Sequence, residues 1–157
     1  MVGLLTTLNS SVDRVSMHAV RASVLEAQAR AAGLPLLTVP LPDPCSDEEY
    51  QTAMGGAITE AQKRGVEAIA FGDLFLEDVR AYRESYLSGT GLAPLFPLWG
   101  RPTQTTAHQM IDAGLRAILT CVDLEQLDRS FVGRHFDHAF LEDLPTDVDP
   151  CGENGEF

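Results

Sequence analysis

Short apolar runs alternate along this chain with stretches whose apolar residues recur at helical spacing. No other feature constrains the fold as much. Val2-Gly-Leu-Leu-Thr-Thr-Leu8 is a compact run ending in the turn cluster Asn9-Ser10-Ser11, and it predicts a buried strand. From about Ser16 to Ala32, Val20, Val24, Ala27 and Ala31 keep helical spacing, and Gly33 marks the stop. Leu36-Leu-Thr-Val39 predicts a second strand, closed by Pro40-Leu-Pro-Asp-Pro44. Ser46-Asp-Glu-Glu49 is a capping box opening a helix to about Arg64. Val66-Glu-Ala-Ile-Ala-Phe71 predicts a third strand that runs straight into Gly72-Asp73 and a helix over about Leu76 to Leu87. A helix over Thr103 to about Ala113, a fourth strand over Arg116–Val122 and a helical patch over about Gly133 to Leu144 precede the tail Asp149–Phe157.

Strands alternating with helices, with the runs apolar on both faces, predict an α/β fold: a mainly parallel sheet covered by helices. In such folds ligands sit outside the carboxyl ends of the strands. Position alone therefore singles out Asn9-Ser10-Ser11 and Gly72-Asp73.

Composition narrows the function. The 157 residues, 45 % hydrophobic, suit a single domain over 1–157. With 11 Lys+Arg against 23 Asp+Glu the net charge is −12, which argues against a nucleic-acid groove. Lys63 is the one lysine. Apolar stretches are short and broken by charge, so no membrane span is expected, and the N-terminus lacks the basic and apolar regions of a signal peptide. Cys45, Cys121 and Cys151 are odd in number and widely spaced, which points to a reducing cytoplasm.

Several residues invite a chemical reading, each beside a plainer one. Gly72 lets backbone approach a ligand and Asp73 points into the crevice, or the pair is an ordinary strand-to-helix turn. Glu77, Arg80 and Glu84 share a helix face; as exposed ion pairs they would count for little, but Arg80 is near enough to the strand ends to meet a phosphate or carboxylate. Trp99 reads as a core plug and Arg101 as an anion ligand or a turn residue. Cys151-Gly-Glu-Asn-Gly-Glu156 has glycines at a spacing that allows a backbone nest facing an anion, or it is a loose tail. Nothing near Cys151 marks it as a nucleophile. His18, His108, His135 and His138 show no metal-ligand spacing; His135 and His138 share at most a surface helix face, and no metal site is expected. Walker, dinucleotide and nucleophile-elbow motifs are absent.

In their order, Val2–Asn9, Ser16-Met-His18, Ala32–Leu36, Gly65–Asp73, Arg80 with Glu84, Pro97-Leu-Trp99 and Asp149–Glu156 resemble the diphthine–ammonia ligase family, a branch of the PP-loop (N-type) ATP pyrophosphatases. The most specific segments are the Gly-Asp after the third strand and the terminal Pro-Cys-Gly-Glu-Asn-Gly-Glu. The resemblance implies the adenine-nucleotide α-hydrolase-like three-layer sandwich, a Rossmann-like architecture. It implies a reaction in which ATP with Mg²⁺ activates a carboxylate as an acyl-adenylate and ammonia displaces AMP. The acceptor would be diphthine on elongation factor 2 in archaea or eukaryotes. It places Thr7, Asn9, Gly72 and Asp73 by the nucleotide, and Arg80, Glu84, Cys151, Gly152, Glu153, Gly155 and Glu156 on the substrate side; His18 matches without a clear role. A homo-oligomer is compatible with it.

The family's Ser-Gly-Gly-Lys-Asp-Ser phosphate motif is missing here. Relative to the family, the chain reads as a fragment lacking the first strand and a closing segment, expected to bind ATP poorly. The competing reading is a non-catalytic nucleotide- or partner-binding module of the same fold.

Overall fold

Residues 1–157 are all described by a computed structural model. The chain divides into two compact units, Met1–Glu67 with Gly89–Leu92, and Ala68–Ser88 with Ala93–Phe157.

In the first unit, β1 (Leu4–Asn9) runs parallel to β3 (Leu36–Leu41), with Leu4 opposite Leu36 and Asn9 opposite Leu41. β2 (Arg14–Val15) returns antiparallel on the other side of β1, giving the order β2-β1-β3. β3 continues through Pro40 to Leu41, past the point where the prolines suggested a stop. An edge strand bonded on one side only tolerates a residue without an N–H. Val39 and Leu41 are buried with Ala57 of α2 (Asp47–Lys63), and Leu37, Tyr50, Ala53 and Met54 pack around them. The period-two alternation of β3 thus meets one stripe of the helix. α2 begins as the sequence predicts: Ser46 Oγ accepts from the Glu49 N–H, and Glu49 accepts from the Ser46 N–H at 2.8 Å.

α1 spans Ala22–Ala32 and starts later than its periodicity suggested. Residues after Asn9 fold back first, because the Ser16 N–H reaches Thr7 O and the Val15 N–H reaches Val20 O. Asp13 and Ala19 take positive φ of 53° and 51° in that return. Antiparallel pairing with β1 overrides the helical pattern there.

In the second unit, β4 (Ala68–Ala70) pairs in parallel with β5 (Ala93–Leu95). α3 (Glu77–Leu87) lies between them in sequence, and α4 (Thr103–Asp112) and α5 (His138–Asp143) follow, separated by a short 3₁₀ turn at Arg129–Phe131. The expected strand over Arg116–Val122 does not form: the segment makes one bridge, Ile118 with His135. Its backbone instead bonds to the nearby stretch 133–136, through Leu119 N–H to Arg134 O, Gly133 N–H to Leu119 O and Phe136 N–H to Ala117 O. The helical patch expected from Gly133 accordingly shortens to α5. Phe140 is the fully buried centre of this unit, edge-to-face with Phe131 at 6.0 Å and Phe157 at 5.4 Å, and tilted on Phe136 at 5.5 Å.

The fold is a mixed α/β arrangement of helices and small parallel sheets, consistent with a Rossmann-like α/β class and with no closed barrel. No helix is long and apolar enough to cross a membrane.

Candidate functional site

The carboxyl end of β4 carries a group of charged and aromatic side chains. Phe71 extends the ladder by one bond, its N–H reaching Leu95 O at 2.9 Å, and the chain then turns through Gly72 and Asp73 into α3. Asp73 Oδ2 lies 3.8 Å from Arg83 Nε. Both atoms are buried and neither has a hydrogen-bond partner. The Arg83 guanidinium also stands over the Phe71 ring, 5.1 Å from its centroid.

One helical turn earlier, Arg80 is held on three sides. Its Nε donates to Glu84 Oε1 at 2.8 Å, and its guanidinium carbon sits 4.8 Å from the Phe96 centroid and 4.7 Å from that of Trp99. Phe96 and Trp99 meet edge-to-face at 6.1 Å, and Phe71 stacks on Phe96 at 5.6 Å. The bond to Glu84 uses Nε, so both terminal NH₂ groups of Arg80 stay available. A guanidinium fixed in this way is a pre-organised fork for a planar anion. Glu77, Arg80, Ala81, Glu84 and Trp99 line an open cavity of about 260 Å³. Arg101, the other arginine of this region, donates to Gln109 Oε1 at 2.8 Å.

The terminal loop is ordered by its own carboxylates. Glu156, 1 % exposed, accepts from the Asp149 N–H at 2.9 Å and the Asn154 N–H at 3.0 Å, and from the Asn154 side-chain amide at 3.1 Å. The Gly152 and Gly155 N–H groups do not form the anion nest the glycine spacing suggested: they turn the loop by bonding Asp149 O at 2.9 Å and Gly152 O at 3.1 Å, and Glu156 takes the Asp149 and Asn154 amides. Burial pushes the Glu156 carboxyl up, but these donors outweigh it and hold the group below the usual carboxylate value. Gly152 is required: its φ is +69°, and a Cβ there would come within 3.0 Å of Phe157. Glu153 donates its own N–H to the Asp149 carboxylate at 2.9 Å, and its Oε1 accepts from the Leu74 N–H at 2.7 Å, next to Asp73. Cys151 is half-buried, its Sγ 3.4 Å from Thr103 O. Burial first, then the Asp149 and Glu153 charges, push its thiol up to about 11, away from a thiolate nucleophile.

The two remaining expected positions lie in the other unit. Thr7 pairs with Val39 inside the sheet. Asn9 spends its side chain locally, accepting from the Ser11 N–H at 2.9 Å and donating to Asp43 at 3.0 Å. Sequence reasoning missed Arg83 as the partner of Asp73, and Phe96 as part of the Arg80 cage. Their signals were the ten-residue offset and a lone aromatic before Pro97, neither of which specifies contact.

ATP and Mg²⁺ ask for a cradle of cations and amides. Arg80 keeps two terminal donors but already faces Glu84, and Arg83 is buried beside Asp73, so two partly neutralised arginines are the cations at this strand end. Lys63 sits in the last turn of α2, in the first unit. No group of three or more His, Cys, Asp or Glu side chains could hold a metal ion. The residues present do not fit a triphosphate. The terminal NH₂ groups of Arg80, in the wall of the open cavity, are donors that suit a smaller anion.

No curated protein matches the chain. Residues 102–157, from the start of α4 through the terminal loop, match the family description "diphthamide synthase C-terminal domain". The Glu156-filled loop and the Phe140 core lie in that matched stretch.

Proposed function

We propose that this chain serves diphthamide biosynthesis as the acceptor-binding part of an ATP-dependent, AMP-forming amide ligase. The observation that carries the reading is Arg80: a guanidinium locked by Glu84, Phe96 and Trp99, with its terminal donors free at the mouth of a cavity. Such a fork holds a carboxylate by two parallel hydrogen bonds and fixes its plane. In the complete reaction ATP supplies AMP as the leaving group, and ammonia supplies the amide nitrogen. The role of this chain's own residues is to orient the acceptor. Arg80 binds the carboxylate, and Trp99 walls the cavity.

The test is titration of the chain with diphthine-bearing elongation factor 2, followed by addition of Mg-ATP and ammonium with pyrophosphate and amide as readouts. Saturable acceptor binding that Arg80→Ala weakens at least 10-fold is expected. Acceptor binding without pyrophosphate release would favour the non-catalytic module, a reading supported by the poor fit of these residues to a triphosphate. Absence of acceptor binding would overturn the proposal.

A further inference from the structure

His108 of α4 and His138 of α5 face each other with their Nδ1 atoms 3.1 Å apart, ring centroids 5.2 Å apart and planes 22° from parallel. Each ring is held from behind. His138 Nε2 lies 2.9 Å from Asp112 Oδ1, and His108 Nε2 lies 3.2 Å from the Gln104 side-chain amide. Gln104, His108 and Asp112 recur every four residues and so share one face of α4, while His138 is the first residue of α5. With both rings neutral, the carboxylate of Asp112 takes the proton on His138 Nε2 and leaves a lone pair on its Nδ1. The proton between the rings then belongs to His108 Nδ1.

We propose that His108 and His138 form a binding site for a late first-row divalent cation, such as zinc. Two imidazole nitrogens on one tetrahedral zinc, with bonds of about 2.0–2.1 Å, lie about 3.3 Å apart. The observed 3.1 Å is already near that edge. Imidazole nitrogen suits zinc, nickel and copper over magnesium or calcium. Asp112 behind His138 is the carboxylate–histidine–metal arrangement that orients a ligating ring and raises its basicity. Both ligands stand on helices, so bringing them together costs little further ordering.

Binding conserves protons. His108 transfers its ring proton from Nδ1 to Nε2, where the Gln104 amide turns its oxygen to accept it. Both Nδ1 lone pairs then become ligands, and His138 keeps its Nε2 proton on Asp112. Two protein ligands leave the other coordination positions to water. The His138 side chain is 49 % exposed, which gives the ion its approach.

The test is zinc chloride titrated into the full chain carrying Cys45→Ser and Cys121→Ser, since those thiols are exposed and would compete. Ring-nitrogen NMR is expected to show Nδ1 of His108 and His138 moving together at one equivalent while His18 and His135 stay. His108→Ala and His138→Ala are expected to lower affinity at least 10-fold, and Asp112→Asn by about 10–100-fold. Asp112→Asn keeps both rings, so it remains informative should an alanine variant unfold. Zinc that leaves both Nδ1 signals in place, or binds Asp112→Asn and His138→Ala as tightly as the chain that keeps Asp112 and His138, overturns the proposal and leaves the pair a plain N–H···N hydrogen bond.

Discussion

Glu153 Oε1 accepts the backbone N–H of Leu74 at 2.7 Å, joining the terminal loop to the residue after Asp73 across 79 positions of sequence. One side chain thereby couples the order of the loop to the shape of the turn at the end of β4. Glu153→Ala leaves a half-buried N–H without its acceptor and should cost about 1–3 kcal/mol. Chemical denaturation checks this. An unchanged midpoint would show that the bond contributes nothing to stability.

Trp99 is the only tryptophan, and Arg80 rests on its ring. Arg80→Ala should shift the Trp99 emission and lose about 0.5–1 kcal/mol of cation–π energy. Arg80→Lys keeps the charge without the planar fork, so it should retain fold stability while losing acceptor binding. Emission spectra and acceptor titration on the two variants separate these effects.

The Glu156 carboxyl is held below its ordinary value by its backbone and amide donors, against the opposing pull of burial. A carboxyl lowered on folding contributes stability that is present above its unfolded value, near pH 4.3–4.5. That contribution is lost as pH falls through the lower folded value. Thermal melts from pH 6 down to pH 3 should therefore show a decline that Glu156→Gln flattens. The same variant should be less stable at pH 7, because a neutral amide replaces an acceptor of three hydrogen bonds.

Thiol labelling should divide the cysteines two to one. Cys45 and Cys121 are exposed, whereas Cys151 is partly buried with its thiol pushed up to about 11. At pH 8 two equivalents of an aromatic disulfide reagent should react quickly and the third slowly, with Cys151→Ser removing only the slow phase. A fast third equivalent would show that the terminal loop opens readily.

Phe140→Ala removes the ring on which Phe131, Phe136 and Phe157 converge. A cavity of that size should cost about 3–5 kcal/mol. Calorimetry would give the loss, and Phe140→Leu should recover part of it.

Much of the scaffold was legible because its causes are local. The Ser46–Glu49 capping box, the stop at Gly33 and the passage from β4 through Gly72-Asp73 into α3 are each written within a few residues. Patterns that compete with nearby pairing were less legible. The periodicity from Ser16 yields to the return strand at Arg14–Val15, and the β-branched run 116–122 finds residues 133–136 in place of a sheet. In both cases a local preference worth tenths of a kcal/mol per residue gives way to hydrogen bonds made with another segment.

The sequence by itself determined the alternation of strands and helices, the acidic balance and the presence of Gly-Asp at a strand end. Its glycine spacing also allowed a nest in the tail. Only the tertiary structure decided which amides meet a carboxylate: the Gly152 and Gly155 N–H groups close turns onto carbonyls, and the Asp149 and Asn154 N–H groups take Glu156. The histidines follow the same rule. Sequence spacing suggested pairing His138 with His135, three residues away, but helix packing brings it to His108, thirty residues away. Spacing along one element dictates which side chains share a face; which faces meet depends on how the apolar stripes of separate elements are buried together.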